Sequence, residues 1–136
     1  MSRYLLLHND TRELPRLMSF VEALCREWGV EEELMSLQLA MEESVVNIMH
    51  YAFTPDADGV IEVRAERVGD CLTFYIEDCG VAFDPTAVPD ADVKLSAEER
   101  EIGGLGIYIV RQIMDEVEYR RCDERNILRL TKIIKS

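Results

Sequence analysis

Positive charge is scarce in this sequence. Fifteen lysines and arginines face 27 aspartates and glutamates, a formal net charge of −12. A surface this acidic repels phosphate backbones and anionic lipid. It argues against direct nucleic-acid binding and membrane association and favours a basic protein partner, unless the charge serves solubility alone. Histidine is nearly absent, at two residues, and Cys25, Cys71, Cys79 and Cys122 form no C-x-x-C pair. A zinc site therefore lacks its usual ligands, and reduced thiols in a cytoplasmic protein are the simplest reading. No apolar run approaches the ~18–20 residues of a membrane span. The N-terminus lacks the charged-then-apolar layout of a signal peptide. Linkers, internal repeats and low-complexity stretches are also missing. The 136 residues read as a single domain, 1–136, able to bury a core without disulfides or a structural metal.

What is present is strong hydrophobic periodicity. Residues 3–8 (RYLLLH) predict a short strand. After a cap at Asp10 or Thr11, Leu14, Leu17, Met18, Val21, Leu24, Cys25 and Trp28 recur at steps of three and four. That is one helical stripe, with Pro15 in the first turn and Gly29 at the end. A second helix runs from near Glu31 to about Ala52, with Leu34, Leu37, Met41, Val45 and Ile48 facing inward. Two strands follow, in which Ile61, Val63, Ala65 and then Leu72, Phe74, Ile76 alternate with polar residues around a Gly69-Asp70 turn. Residues 85–102 show no periodicity and are long enough to be a lid. A third helix is expected over 105–115, then strands over 116–122 and 126–134, with Leu128, Leu130 and Lys132 on one face of the last. Paired strands without βαβ alternation predict an α+β fold: a two-layer sandwich of a mixed, mainly antiparallel sheet with helices on one face.

Three segments carry residues suited to chemistry. Glu43 and Asn47 lie one helical turn apart, ~6 Å along the axis. The pair suits a proton acceptor beside a Mg²⁺ ligand, or else an ordinary exposed pair. Asp78 continues the inward parity of Leu72, Phe74 and Ile76, and a buried carboxylate is costly without a partner. It suits an exocyclic amine as donor, with Gly80 allowing close backbone approach; the plain alternative is a strand-ending turn. Gly103, Gly104 and Gly106 precede the third helix, where exposed N–H groups and the helix dipole favour an anion, unless they are only a hinge. No Gly-Lys-Ser/Thr follows, so this is not a P-loop, and no βαβ unit makes it a Rossmann fingerprint. In this order, one nucleotide would use all three segments.

The strings EESVVNIMHYAF (42–53), DCGVAFDP (78–85) and GGLGIYIVRQIMDEVEY (103–119) resemble the N box and glycine boxes of the GHKL, or Bergerat-fold, ATP-binding superfamily. Within it the chain is most similar to the RsbW-like anti-sigma factor serine/threonine kinases, over nearly its whole length. The resemblance implies ATP and Mg²⁺ as cofactors, with Asn47 on the metal and Glu43 as general base toward a substrate serine. It places Asp78, Gly80 and Phe83 at the adenine, Gly103, Gly104, Leu105 and Gly106 around the phosphates, and Arg100 in the lid near a phosphate. A late-strand threonine is also used in the family, and Thr131 is a candidate whose register is open. The implied partners are an anti-sigma factor antagonist and a sigma factor or similar regulator, with the chain as a homodimer. Two features depart from the pattern: Tyr51 stands where many relatives carry His, and the lid holds only Lys94 and Arg100 as basic residues. A nucleotide-sensing module without kinase activity is therefore the second expectation. A histidine-kinase or chaperone-type ATPase domain is set aside, because neither phospho-acceptor helices nor a transducer domain accompanies these motifs.

Overall fold

The computed structural model describes residues 2–53, 59–87 and 104–134. Five strands, β1 (Ser2–His8), β2 (Val60–Val68), β3 (Cys71–Asp78), β4 (Glu116–Cys122) and β5 (Arg125–Ile133), form one sheet in the order β1-β2-β3-β5-β4. All four pairings are antiparallel, so the expected mixture resolves to a purely antiparallel sheet among the described residues. Helices α1 (Leu14–Glu27), α2 (Leu34–Tyr51) and α3 (Gly104–Ile113) form the second layer.

Both long helices begin with a 3-10 turn, at Thr11–Glu13 and Glu31–Glu33. The Asp10 side chain caps the first of these by accepting from the Arg12 N–H at 2.9 Å. Pro15 sits at the start of α1, and Gly29, at φ +68°, turns the chain out of it. The Val30 N–H returns to the Cys25 carbonyl at 2.9 Å and satisfies one of the helix's orphan acceptors.

Alternation along the strands sends Leu7, Ile61, Val63, Ala65, Leu72, Phe74, Ile76, Leu128 and Leu130 inward. There they are buried with Leu17, Val21 and Leu24 of α1 and Leu37, Met41 and Val45 of α2. Each large side chain removed from water in this way stabilises the fold by ~1.5–3 kcal/mol. The opposite sheet face carries ion pairs, Arg125 with Glu62 and Glu77, and Arg129 with Glu116 and Glu118. Tyr4 and Leu6 stay exposed on the β1 edge.

Two hairpins set the sheet register. Gly69, at φ +60°, turns β2 into β3 as expected. Asp123 (φ 50°) and Glu124 (φ 63°) form the two-residue turn between β4 and β5, both in the left-handed region without the help of a glycine. In the expected lid, 85–87 is a 3-10 turn (Pro85–Ala87), and 88–103 lie outside the described residues. Arg100, Lys94 and Gly103 are among these.

Candidate functional site

The inward face of α2 is buried, yet it carries Ser44 and Asn47 among its apolar residues. Ser44 is satisfied by donating to the Ala40 carbonyl at 2.8 Å. Asn47 is 8% exposed and Glu43 half-buried one turn before it. The start of α3 comes up against both. A methyl group on Gly106 would stand 3.0 Å from Glu43 Oε2 and 3.1 Å from Asn47 Nδ2. The structure thus brings Glu43, Asn47 and Gly106 together, with Gly104 and Leu105 in the backbone of the first turn of α3. Burial, followed by the neighbouring Glu42 charge, raises the Glu43 carboxyl pKa above its ordinary value. That moves it toward the range useful to a general base.

The second half of the site lies where β3 ends against the end of α2. The Val81 N–H donates to the Ala52 carbonyl at 2.8 Å. The Tyr51 and Phe83 rings meet at 5.3 Å between centroids. Gly80 is required here for packing: a methyl group on it would sit 2.3 Å from the Ala52 carbonyl oxygen. Backbone on both sides cannot yield cheaply. Gly80→Ala is therefore expected to lower stability by ~1–3 kcal/mol, read as a reduced urea midpoint at unchanged m-value.

Asp78 is 1% exposed. Its Oδ1 accepts from the Gly80 N–H at 2.8 Å and from Asn126 Nδ2 at 2.9 Å. Its Oδ2 is buried with no hydrogen-bond partner among the described residues. Burial raises the Asp78 carboxyl pKa, opposed by the hydrogen bonds from Asn126 and Gly80 and then by the charges of Arg121 and Arg125. A buried carboxylate oxygen with no donor fits a ligand that brings one, such as an adenine amine. At the other end, Asn47 offers one amide oxygen and Glu43 one carboxylate. That suits Mg²⁺, which takes few protein ligands alongside phosphates and water. No cluster of three or more His, Cys, Asp or Glu occurs among the described residues, so nothing here resembles an all-protein metal cage.

Thr131 does not belong to this site. It pairs with Thr73 and Glu116, on the sheet face away from the helices. The residue of β5 opposite Asp78 is Asn126, 4% exposed. The signal for it was available: the alternation that turns Leu128 and Leu130 inward turns Asn126 inward and Thr131 outward. Arg121 was likewise missed. It donates to the Gly80 carbonyl at 2.9 Å and holds the Asp78 loop from β4.

Comparison with known proteins adds to this geometry. Residues 7–132 match the model of a family described as the histidine kinase-like ATPase domain. The chain is similar to the serine/threonine-protein kinase BtrW of Bordetella bronchiseptica, 31% identical over 96 residues, which are 71% of this chain and 68% of that protein. It is also similar to the serine-protein kinase RsbW of Listeria monocytogenes, 32% identical over 91 residues, 64% of this chain and 58% of that one. Among solved structures, the histidine kinase domain of the Erythrobacter litoralis EL346 blue-light activated histidine kinase superposes with a TM-score of 0.56 at 19% identity, covering 89% of this chain and 59% of that chain. At that identity the likeness shows the shared fold.

Proposed function

The chain belongs to the histidine kinase-like ATPase domain family, and from that premise we propose that it binds ATP with Mg²⁺ and phosphorylates a serine of a small regulatory protein. One observation carries the reading: the buried Oδ2 of Asp78, without a donor among the described residues, in a fold whose other glycine segment meets Glu43 and Asn47. When bound, Mg²⁺-ATP supplies the phosphoryl group and the counter-charge. Asp78 Oδ2 accepts from the base amine, with Gly80 and Phe83 beside it. Asn47 offers its oxygen to the metal. Gly104, Leu105 and Gly106 present the N–H groups of the α3 start to phosphate oxygens. The family resemblance assigns Arg100 and Gly103 to the phosphates as well, and both lie outside the described residues. Glu43 takes the proton of the serine hydroxyl as its oxygen bonds to the γ-phosphorus and ADP departs.

BtrW and RsbW are named as protein kinases acting on serine or threonine, which supports this transfer chemistry. In line with that likeness, the proposed partners are an anti-sigma factor antagonist as substrate and a sigma factor or similar regulator as the sequestered protein. The acidic surface suits a basic partner, and the exposed Tyr4 and Leu6 offer β1 to a second copy of the chain. The proposal places the chain in the cytoplasm. No described helix is long and apolar enough to cross a membrane.

Calorimetry with Mg²⁺-ATP tests the reading. Wild type is expected to bind in the micromolar range, and Asn47→Ala to weaken binding about tenfold, ~1.4 kcal/mol. Absence of binding by wild type at millimolar nucleotide sinks it. Tight binding without label transfer from [γ-³²P]ATP to any protein of the source cell leaves a nucleotide-sensing module instead.

A further inference from the structure

We propose that Asn126 decides which base this site accepts, by keeping Asp78 an obligate hydrogen-bond acceptor so that the pocket selects a purine with an amine at position six. The inference rests on the nucleotide-binding reading above and deepens it.

The orientation of the Asn126 amide is dictated by its neighbours. Its Nδ2 donates to Asp78 Oδ1 at 2.9 Å and to the Val81 carbonyl at 2.8 Å, and both of those oxygens accept. Its Oδ1 accepts from the Phe83 N–H at 3.3 Å, from Arg121 at 3.1 Å and from the Tyr119 hydroxyl at 2.5 Å. The Phe83 amide and the guanidinium can only donate. A flipped amide would set donors against donors on one side and acceptors against acceptors on the other. Asn126 is thus locked with its N–H toward Asp78.

This has a chemical consequence at the carboxyl. With Gly80 N–H and Asn126 N–H both on Oδ1, no proton can sit there, and Oδ2, without a partner among the described residues, is the oxygen left for a ligand's hydrogen bond. Ionised, Oδ2 accepts from an amine. Protonated, it donates, and would then prefer the carbonyl oxygen of hypoxanthine or guanine. The choice of base therefore reduces to whether Asp78 holds a proton. Burial favours that proton, and the hydrogen bond from Asn126 opposes it most strongly. The charged and titratable groups around Asp78 are Arg121 on β4, Arg125 on β5, the Tyr119 phenol, and Asp84 on the following loop. The end of α2 adds Ala52, and the Tyr51 ring against Phe83. Of these, Asn126 alone donates directly to the Asp78 carboxylate through a side chain among the described residues.

ATP and ITP differ in the amine or carbonyl at position six, so they are the probes. Their dissociation constants with Mg²⁺ are measured by calorimetry between pH 6 and pH 8, for wild type, Asn126→Ala and Asn126→Thr. Wild type is expected to prefer ATP throughout. Asn126→Ala is expected to narrow that preference by about tenfold or more, most at the acid end. Asn126→Thr, whose hydroxyl can still donate to Asp78, is expected to recover part of it and covers the case in which the alanine variant fails to fold. If Asn126→Ala weakens ATP and ITP in parallel, at an unchanged ratio across pH, the residue is only a staple between β5 and the loop and the inference falls. It also falls if wild type binds the two equally, although the nucleotide site then stands. Wild type binding neither nucleotide removes the nucleotide reading itself.

Discussion

Asp78→Asn is expected to weaken ATP binding by about 100-fold or more, ~3 kcal/mol, while leaving the unliganded protein at least as stable as wild type. The asparagine oxygen can keep both bonds made at Oδ1, from Gly80 and Asn126. Its amide nitrogen then occupies the place of Oδ2 and presents a donor to a donor. The ligand loses a charge-assisted bond and meets a repulsive contact. Stability moves the other way. Burial lifts the folded-state pKa of Asp78 above its unfolded value, so the native state holds this proton more tightly. Stability contributed by the protonated form is complete below the unfolded value and is lost as pH rises through the folded value. Above the folded value that cost is fully present, and asparagine removes it. Thermal melts without nucleotide from pH 4 to pH 8 are expected to show the variant gaining on wild type as pH rises, by about 1 kcal/mol or a few degrees at neutrality. A variant that melts well below wild type at pH 7 would instead mark Asp78 as a structural residue. The expected pattern is that of a binding group held at the expense of stability.

Glu43→Gln is expected to separate the other pair of quantities. Removing a positioned general base costs about 10²–10⁴-fold in the chemical step. Glutamine keeps the length and polarity of the side chain against Gly106, so nucleotide affinity is expected to be unchanged or slightly higher with one negative charge fewer near the phosphates. The observable is the single-turnover rate of phosphoserine formation, beside the ATP dissociation constant from calorimetry. In wild type the rate is expected to fall as pH drops and Glu43 takes up a proton. That acid limb lies above the usual glutamate range, because burial and Glu42 raise the pKa. The variant loses the limb. A variant that transfers phosphate at the wild-type rate would remove Glu43 from the chemistry.

The sequence carried most of the fold and part of the site, and the division has a physical cause. Periodic signals are local, so the stripe from Leu14 to Trp28, the alternation from Ile61 to Ile76 and the Gly69-Asp70 turn located α1, β2 and β3 within a few residues. Helix ends were less legible. Thr11–Glu13 and Glu31–Glu33 are 3-10 turns that continue directly into α1 and α2, and α3 stops at Ile113 while the apolar pattern runs on into Met114. Glu43 and Asn47 were legible because both lie on one helix at a fixed spacing. The inward parity of Asn126 follows from Leu128 and Leu130, but its partners do not, because Phe83, Val81 and Asp78 lie 43 to 48 positions away. Alternation tells which face a strand residue takes, and only strand pairing tells which residue it meets there. The threonine near the chain end drew attention by residue type, and its parity sends it to the wrong side of the sheet.

The turn at Asp123 and Glu124 has a consequence for this family of sequences that reaches beyond the hairpin. A strand has two phases, and the loop that launches it chooses between them. Adding or deleting one residue between Cys122 and Arg125 would bring Arg125 or Ile127 opposite Asp78 and rotate Leu128 and Leu130 toward solvent. The loop touches no proposed ligand, yet its length functions as part of the proposed binding site. Sequence alignments of relatives inherit the same sensitivity: a gap placed one position off in this loop assigns the role proposed for Asn126 to a side chain on the far side of the sheet. Counting residues back from the inward leucines, rather than matching letters, is the safer way to find the counterpart of Asn126.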